Sequence, residues 1–252
     1  MTANHRGEDV SKLFVAVSGG ADSTATALLL WERGVEFEMC FADTGAELPE
    51  VYWLLPRLAA HVGKPLHVVS GGSMFQRIIN RGFFLPSPRA RYCTRELKQE
   101  PQDRFYKTMS AEAIAIGIRA DEEDRQHGDR AGLHYIYPLA EAGIGRKDAH
   151  GLCHKYGLLN PAYEWRSRVN CFCCFFQRLN DWRGLYRHYP SLFALANEWE
   201  RRSLMIENGY GWRSDKWTLE KIHQREQLQG KLDLSWPDVE DETERPCLIC
   251  TI

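Results

Sequence analysis

The sequence predicts an α/β fold: a doubly wound parallel sheet with a helical C-terminal appendage. Two observations carry that expectation. Short β-rich apolar runs alternate with amphipathic stretches through the first two thirds, and helix formers without a convincing strand fill the region after Arg178. Leu13–Val17 is β-rich and ends in Ser-Gly-Gly, after which Asp22–Arg33 reads as a helix that stops at Gly34. Val35–Phe41 is the second strand, followed by a helix from Pro49 to His61. Leu66–Val69, Ala113–Ile118 and the weaker His134–Tyr137 complete the strands. In such sheets ligands sit at the carboxyl ends of strands, so the loops after Val17, Phe41 and Ile118 are where chemistry is expected. The segment from Arg178 to Gln229 holds Trp182, Trp199, Trp212 and Trp217, with Trp165 just before it. Three regions follow: a sheet domain with a cysteine cluster over 1–180, a helical appendage over 181–232, and an acidic, cysteine-containing tail over 233–252.

Composition narrows the class. The 252 residues are 44% apolar and 26% charged, which excludes a disordered chain, a collagen-like chain and a miniprotein. Lys and Arg total 32 against 34 Asp and Glu, a net charge of −2, so any binding to nucleic acid or membrane must be local. The polar stretch Met1–Ser11 and the short run Leu13–Val17 predict neither leader nor membrane segment, and hence a cytoplasmic protein. In a reducing compartment, clustered cysteines read as metal-binding or catalytic. Of the eight cysteines, Cys171, Cys173 and Cys174 fall within four residues, and Cys247 and Cys250 form a second pair.

The strongest motif is Val15-Ala-Val-Ser-Gly-Gly-Ala-Asp-Ser23, which joins a strand, a glycine turn and a helix start. Gly19 and Gly20 let the backbone approach a phosphate, the helix offers N–H groups, and Ser18 and Ser23 add hydroxyls. The segment lacks the Gly-Lys-Ser/Thr of a Walker loop and the dinucleotide fingerprint. The bland alternative is a capped helix after a glycine turn. Ser18-Gly-Gly-Ala-Asp-Ser23 resembles the pyrophosphate loop of the adenine nucleotide α-hydrolase superfamily, which includes ATP pyrophosphatases, tRNA thiolation enzymes and phosphoadenosine phosphosulfate reductases. Four more segments narrow the resemblance to the phosphoadenosine phosphosulfate reductase-like branch. These are Phe41-Ala-Asp-Thr-Gly-Ala-Glu-Leu-Pro-Glu50, Arg91-Tyr-Cys-Thr-Arg-Glu-Leu-Lys98, Gly117-Ile-Arg-Ala-Asp-Glu-Glu-Asp-Arg125, and Tyr137-Pro-Leu139 followed by Asn170-Cys-Phe-Cys-Cys174. The resemblance spans residues 12 to 180 and implies ATP or an adenosine phosphosulfate, with Mg²⁺, as the bound species.

Residue by residue, the resemblance puts Ser18, Gly19, Gly20, Asp22 and Ser23 at the phosphates, and Asp43 and Thr44 at the ribose or adenine. It adds Lys98, Gly117 and Arg119 to the nucleotide site, with Asp22 and Arg119 catalytic. Each has a plainer reading: an Asx turn at Asp43, a salt bridge at Arg119. Arg95 and Lys98, three apart on a helix, are expected to point one way beside Cys93, either at ligand or as a solvated basic face.

Cys171 and Cys174 form a C-x-x-C pair able to meet one metal or cluster. With Cys93 they resemble the [4Fe–4S] ligands of iron–sulfur adenylylsulfate reductases, although Thr94 replaces one cysteine of that family's adjacent pair. Cys173 is the nearest thiol to complete the set, with Cys153 or His154 as alternatives. A cluster on three protein ligands, as in related thiolation enzymes, is a further reading. Zinc suits a cysteine-only site equally, and a buried apolar patch with Phe172, Phe175 and Phe176 is the plain alternative. Cys40 reads as core. Cys250 lies where sulfonucleotide reductases carry a nucleophilic tail cysteine, but Ile249 and Thr251-Ile252 depart from that family's Glu before and Gly-x-His after it. Cys247 has no assignment.

Arg166, Arg168, Arg178, Arg183, Arg187, Arg201 and Arg202 interleave with Trp165, Trp182, Tyr186 and His188. They form either a basic, aromatic face for a nucleic-acid acceptor or a helical surface with its tryptophans turned inward. The leading expectation is attack at the α-phosphate of ATP, with adenylyl transfer linked to sulfur chemistry. The alternatives are thioredoxin-dependent reduction of a sulfonucleotide through Cys250, and a non-catalytic nucleotide-binding accessory of a nucleic-acid modification or defence complex. A homo-oligomer or larger assembly accompanies these readings; a membrane partner does not.

Overall fold

The computed structural model describes residues 12–126, 128–169, 171–213 and 217–229. Its centre is one all-parallel sheet of β1 (Leu13–Val17), β2 (Glu38–Asp43), β3 (Leu66–Ser70), β4 (Ala113–Ala115) and β5 (Tyr135–Ile136), in the order β3-β2-β1-β4-β5. In register, Val17 pairs with Phe41 on one side of β1, and Val15 with Ala115 on the other. The helices are α1 (Ala21–Glu32), α2 (Pro49–Val62), α3 (Met74–Asn80), α4 (Tyr92–Thr94), α5 (Glu100–Thr108), α6 (Pro138–Glu141), α7 (Arg146–Lys155), α8 (Leu179–His188), α9 (Pro190–Ser203) and α10 (Leu219–Gln229). A π-helical turn, Arg95–Gln99, joins α4 to α5, and 3₁₀ turns cover Ala120–Arg125 and Pro161–Glu164.

The alternation of β1 splits the core between two faces. Val15 and Val17 point into the larger cluster with Leu28, Leu54 and Leu58, whereas Phe14 and Ala16 meet Cys40, Tyr106 and Ile114 on the other side. Cys40 is core, as expected. The second strand starts at Glu38 rather than Val35 because the end of α1 uses the intervening residues. Gly34 has φ +68°, and the Val35 N–H closes onto Leu30 O at 3.0 Å. The last helices do not stand apart from the sheet: Trp182, Phe193, Trp199, Trp212, Leu219 and Ile222 belong to the same buried cluster as Val15 and Leu28. Among the described residues no helix is long and apolar enough to cross a membrane.

Candidate nucleotide site and thiol compartment

The sheet order reverses at β1: the chain goes outward to β2 and β3, then returns to place β4 on the other side of β1. A reversal of this kind opens a crevice at the carboxyl ends of the two inner strands. The loops that meet there are Ser18–Ser23 after β1 and Gly117–Arg119 after β4. Gly19 adopts φ +75°, and a Cβ there would come within 2.9 Å of Val51 Cγ1, so glycine alone fits the turn. Ser23 Oγ accepts from Ser18 N at 3.0 Å and lies 3.2 Å from Ser18 Oγ, which closes the loop on itself. A Cβ on Gly117 would meet the backbone of Asp22 and Ser23 at 2.7 Å, so the chain leaving β4 lies directly on the first turn of α1.

That contact brings Asp22 and Arg119 together. Arg119 Nη1 donates to Asp22 Oδ2 at 2.7 Å and Nε to Asp121 Oδ1 at 2.8 Å, with Glu122 Oε1 3.1 Å from Nη2. Burial pushes the Asp22 carboxyl up, and Arg119 only partly opposes it. For Arg119 burial works against the charge, but Asp22, Asp121 and Glu122 outweigh it and hold the guanidinium above its ordinary value. The salt-bridge reading of Arg119 and its position at the crevice are thus both realised.

Two residues that sequence reasoning missed brace the loop. Asn160 Nδ2 donates to Gly19 O at 3.0 Å, and Tyr163 OH accepts from Ala21 N at 2.9 Å. Their local signal was only an Asn-Pro turn, which says nothing about a partner about 140 positions away.

At the end of β2, Asp43 Oδ1 accepts from Gly45 N and Tyr52 OH, both at 2.8 Å, forming the Asx-type turn. Thr44 Oγ1 donates to Glu47 Oε1 at 2.9 Å. Here the cysteines arrive: Phe172 N bonds Ala46 O at 2.8 Å, the Cys171 thiol donates to Glu47 Oε1 at 3.4 Å, and Thr44 Oγ1 lies 3.5 Å from Cys171 Sγ. Lys98 Nζ is 3.9 Å from the same carboxylate oxygen. Burial opposes the Lys98 charge, yet Cys171, Glu47, Cys174 and Cys93 together hold the ammonium above its usual range. Burial also raises every thiol of the group, Cys174 to about 11. Cys93, Cys171, Cys173 and Cys174 therefore share one buried electrostatic compartment with Lys98 and Glu47. Among the described residues no group of three or more His, Cys, Asp or Glu is arranged to hold a metal ion.

Several expectations are corrected. Cys153 cannot complete the thiol group, because it sits beneath the phosphate loop and donates to Ala21 O at 3.3 Å; His154 on the same helix faces solvent. Arg95 does not point with Lys98: its side chain is 66% exposed and pairs with Glu96 and Glu100. The basic, aromatic face takes the inward form. Trp182, Trp199 and Trp212 are buried, Arg183 and Arg187 pair with Glu226, and Arg201 and Arg202 pair with Glu198. Trp165 stacks on His188 at 4.9 Å. Cys247 and Cys250 lie outside the described residues.

A parallel sheet whose reversal point carries Ser-Gly-Gly-Ala-Asp-Ser defines a nucleotide-binding α/β protein of the adenine nucleotide α-hydrolase-like kind. Comparison narrows this: residues 12–131, just under half of the chain, match the family model of the phosphoadenosine phosphosulfate reductase domain. The fold is similar to the crystal structure of phosphoadenylyl-sulfate reductase from Candida auris in its phosphate complex. The TM-score is 0.50 at 17% identity, over 64% of this chain and 81% of that one. In sequence the chain is 25% identical, over 249 residues, to an uncharacterized 37.8 kDa protein of Escherichia phage 186, covering 74% of each.

Proposed function

We propose that the chain is an enzyme that binds ATP at the Ser18–Ser23 loop and cleaves it at the α-phosphate, passing the adenylyl group to an acceptor in a sulfur-linked reaction. The observation that carries this reading is the contact between Cys171 and Thr44–Glu47, because it sets a thiol compartment against the carboxyl end of the nucleotide-binding sheet. In the reaction an acceptor nucleophile bonds to the α-phosphorus, the bond to the β-phosphate oxygen breaks, and pyrophosphate leaves. Loop N–H groups and Arg119 stabilise the charge that builds on the α-phosphate oxygens. Asp22 holds Arg119 in place through its 2.7 Å bond. Magnesium would enter bound to the phosphates of the nucleotide.

Among the described residues the thiols are not arranged around a common metal position, but their donor chemistry suits a thiolate-bound centre, [4Fe–4S] or zinc: Cys93, Cys171 and Cys174 would hold it, with Cys173 as the further thiol, and Lys98 would balance the thiolate charge. An iron–sulfur centre, when bound, supplies electrons or a sulfur-binding iron. Release of labelled pyrophosphate from ATP with RNA, DNA and small sulfur acceptors tests the reading. Pyrophosphate formation in the presence of one acceptor is expected, and failure to bind ATP overturns it. The matched domain favours a second reading, thioredoxin-dependent reduction of a sulfonucleotide to sulfite. Under that reading Cys250→Ser abolishes sulfite production while nucleotide binding persists.

A further inference from the structure

A pocket of about 680 Å³ opens between the end of α3 and the turn at α4, and no residue of the Ser18–Ser23 loop or of Gly117–Arg119 lines it. Arg81, Phe84, Arg89, Arg91, Tyr92 and Arg95 do. The buried Tyr92 backs the pocket: its OH donates to Phe84 O at 2.7 Å, and the Arg81 guanidinium lies over its ring at 4.4 Å. The Ser87–Ala90 turn closes through Ala90 N to Ser87 O at 3.1 Å and Ser87 N to Ala90 O at 3.2 Å, which presents Arg89 to solvent. On its inner side the pocket meets the thiol compartment, since Tyr92 and Thr94 flank Cys93 in the chain.

The charge around the pocket stays positive when the carboxylates that pair with its arginines are counted. Glu96 is shared by Arg81 at 2.7 Å, Arg95 at 3.0 Å and Arg77 at 3.7 Å, and Glu100 meets Arg95 at 3.6 Å. Arg91 lies over the Phe176 ring and has partners of its own. Arg89 is exposed, and no ion pair among the described residues holds it. Five guanidiniums thus stand against two carboxylates. Each guanidinium carries five N–H groups, so a carboxylate shared three ways leaves its arginines able to donate further. A lone phosphate or sulfate would meet one or two of these cations, whereas a phosphodiester chain carries a negative charge at every step and matches their spread from Arg81 to Arg95. The second observation is aromatic. Arg81 rests against Tyr92, and a guanidinium plane stacks on a base as an aromatic ring does. Phe84 offers a half-buried ring to the same pocket, held edge-on by Tyr210 at 5.2 Å. An acidic peptide would use the charge and leave these stacking faces idle.

We propose that this pocket seats a single-stranded nucleic acid, with phosphates on Arg81, Arg89 and Arg95 and a base against Arg81 and Phe84. A single strand is favoured over a duplex because stacking in the pocket needs an unpaired base. The inference deepens the reading above by naming the acceptor of the adenylyl group, and it rests on that reading for the use of the strand as acceptor; strand binding itself needs no ATP.

Fluorescence anisotropy of short labelled oligonucleotides, titrated with the full chain over a range of salt, tests it. Wild type is expected to bind single-stranded RNA or DNA with an affinity that falls as salt rises, and more tightly than the duplex of the same sequence or polyaspartate. Arg89→Glu is expected to weaken the strand by about tenfold, and Arg89→Gln to make the slope of log affinity against log salt shallower by about 0.7, the share of one phosphate. Arg33→Glu, the same charge change at the exposed carboxyl end of α1, is expected to bind as wild type. Absent strand binding, affinity unchanged in Arg89→Glu, an equal loss in Arg33→Glu, or tighter binding of the duplex or of polyaspartate each overturns the pocket. A preference for RNA or for DNA that is lost in Arg89→Glu supports it and identifies the sugar. ATP affinity, measured alongside, separates the two readings. Failure of the strand with ATP still bound leaves the ATP reading standing; Arg89-dependent strand binding without ATP binding supports the pocket and removes its role as the acceptor's seat.

Discussion

Asp22 occupies the first turn of α1, where a carboxylate is ordinarily favoured by the helix dipole, yet here burial dominates and raises its pKa above 3.8. The sign of the consequence follows by linkage. A carboxyl raised in the folded state contributes stability that is fully present below its unfolded value and is lost as pH rises through the folded one. Asp22→Asn removes that titration while leaving Arg119 its contacts with Asp121 and Glu122. Urea unfolding across the pH range from about 4 to about 7 should therefore show wild type losing ground to Asp22→Asn as pH rises. Parallel curves would rule this out. At this scale the sequence was legible wherever a residue acts on its own neighbours. Gly19, Ser23 and the Asx turn at Asp43 all follow from local turn chemistry. A salt bridge at Arg119 was readable through its neighbours Asp121 and Glu122, but its bond to Asp22 was not, because Asp22 reaches it only after β4 has folded against β1.

Among the elements, the π-helical turn Arg95–Gln99 shows how one local irregularity redirects charge. On a regular α-helix Arg95 and Lys98 would share a face; the widened turn changes the angle between them, leaving Arg95 in solvent and Lys98 beside the thiols. Nothing in the composition of that segment marks the widening, which is why the sequence predicted a common direction. The pair makes a matched test. Arg95→Ala removes only exposed ion pairs and should change stability by less than about 0.5 kcal/mol. Lys98→Met leaves the Glu47 carboxylate, 7% exposed, without its nearby cation and should cost about 3–5 kcal/mol. Denaturant midpoints of the two variants decide the matter, and equal losses would contradict the arrangement. Lys98→Met should also lower metal uptake during reconstitution, because the compartment's thiolates lose their counter-charge.

Over the whole molecule, the strand and helix alternation was readable from periodicity because each element buries one face locally. The fate of the C-terminal helices was not, since amphipathicity tells that a face is buried and not against what. Their tryptophans complete the core that the sheet begins: Phe172 packs on Trp199, Trp199 on Trp212 and Trp212 on Trp182, so the cysteine segment and the helices are layers of one stack. Tyr189 OH reaches Glu50 Oε1 on α2 at 2.7 Å, and Tyr210 OH reaches Leu85 O at 2.6 Å, tying the last third to the first at two further points. A sheet domain cut free at residue 178 would expose Val15's cluster where Trp182, Phe193 and Trp199 had covered it. The chain should therefore unfold in one transition, with far-ultraviolet circular dichroism and tryptophan fluorescence melting together. Trp182→Ala, which empties a wholly buried site, should lower stability by about 3–5 kcal/mol and move both signals equally. Two separate transitions, or a fragment ending at residue 178 that gives a dispersed amide spectrum and binds nucleotide, would instead establish the C-terminal helices as an independent appendage.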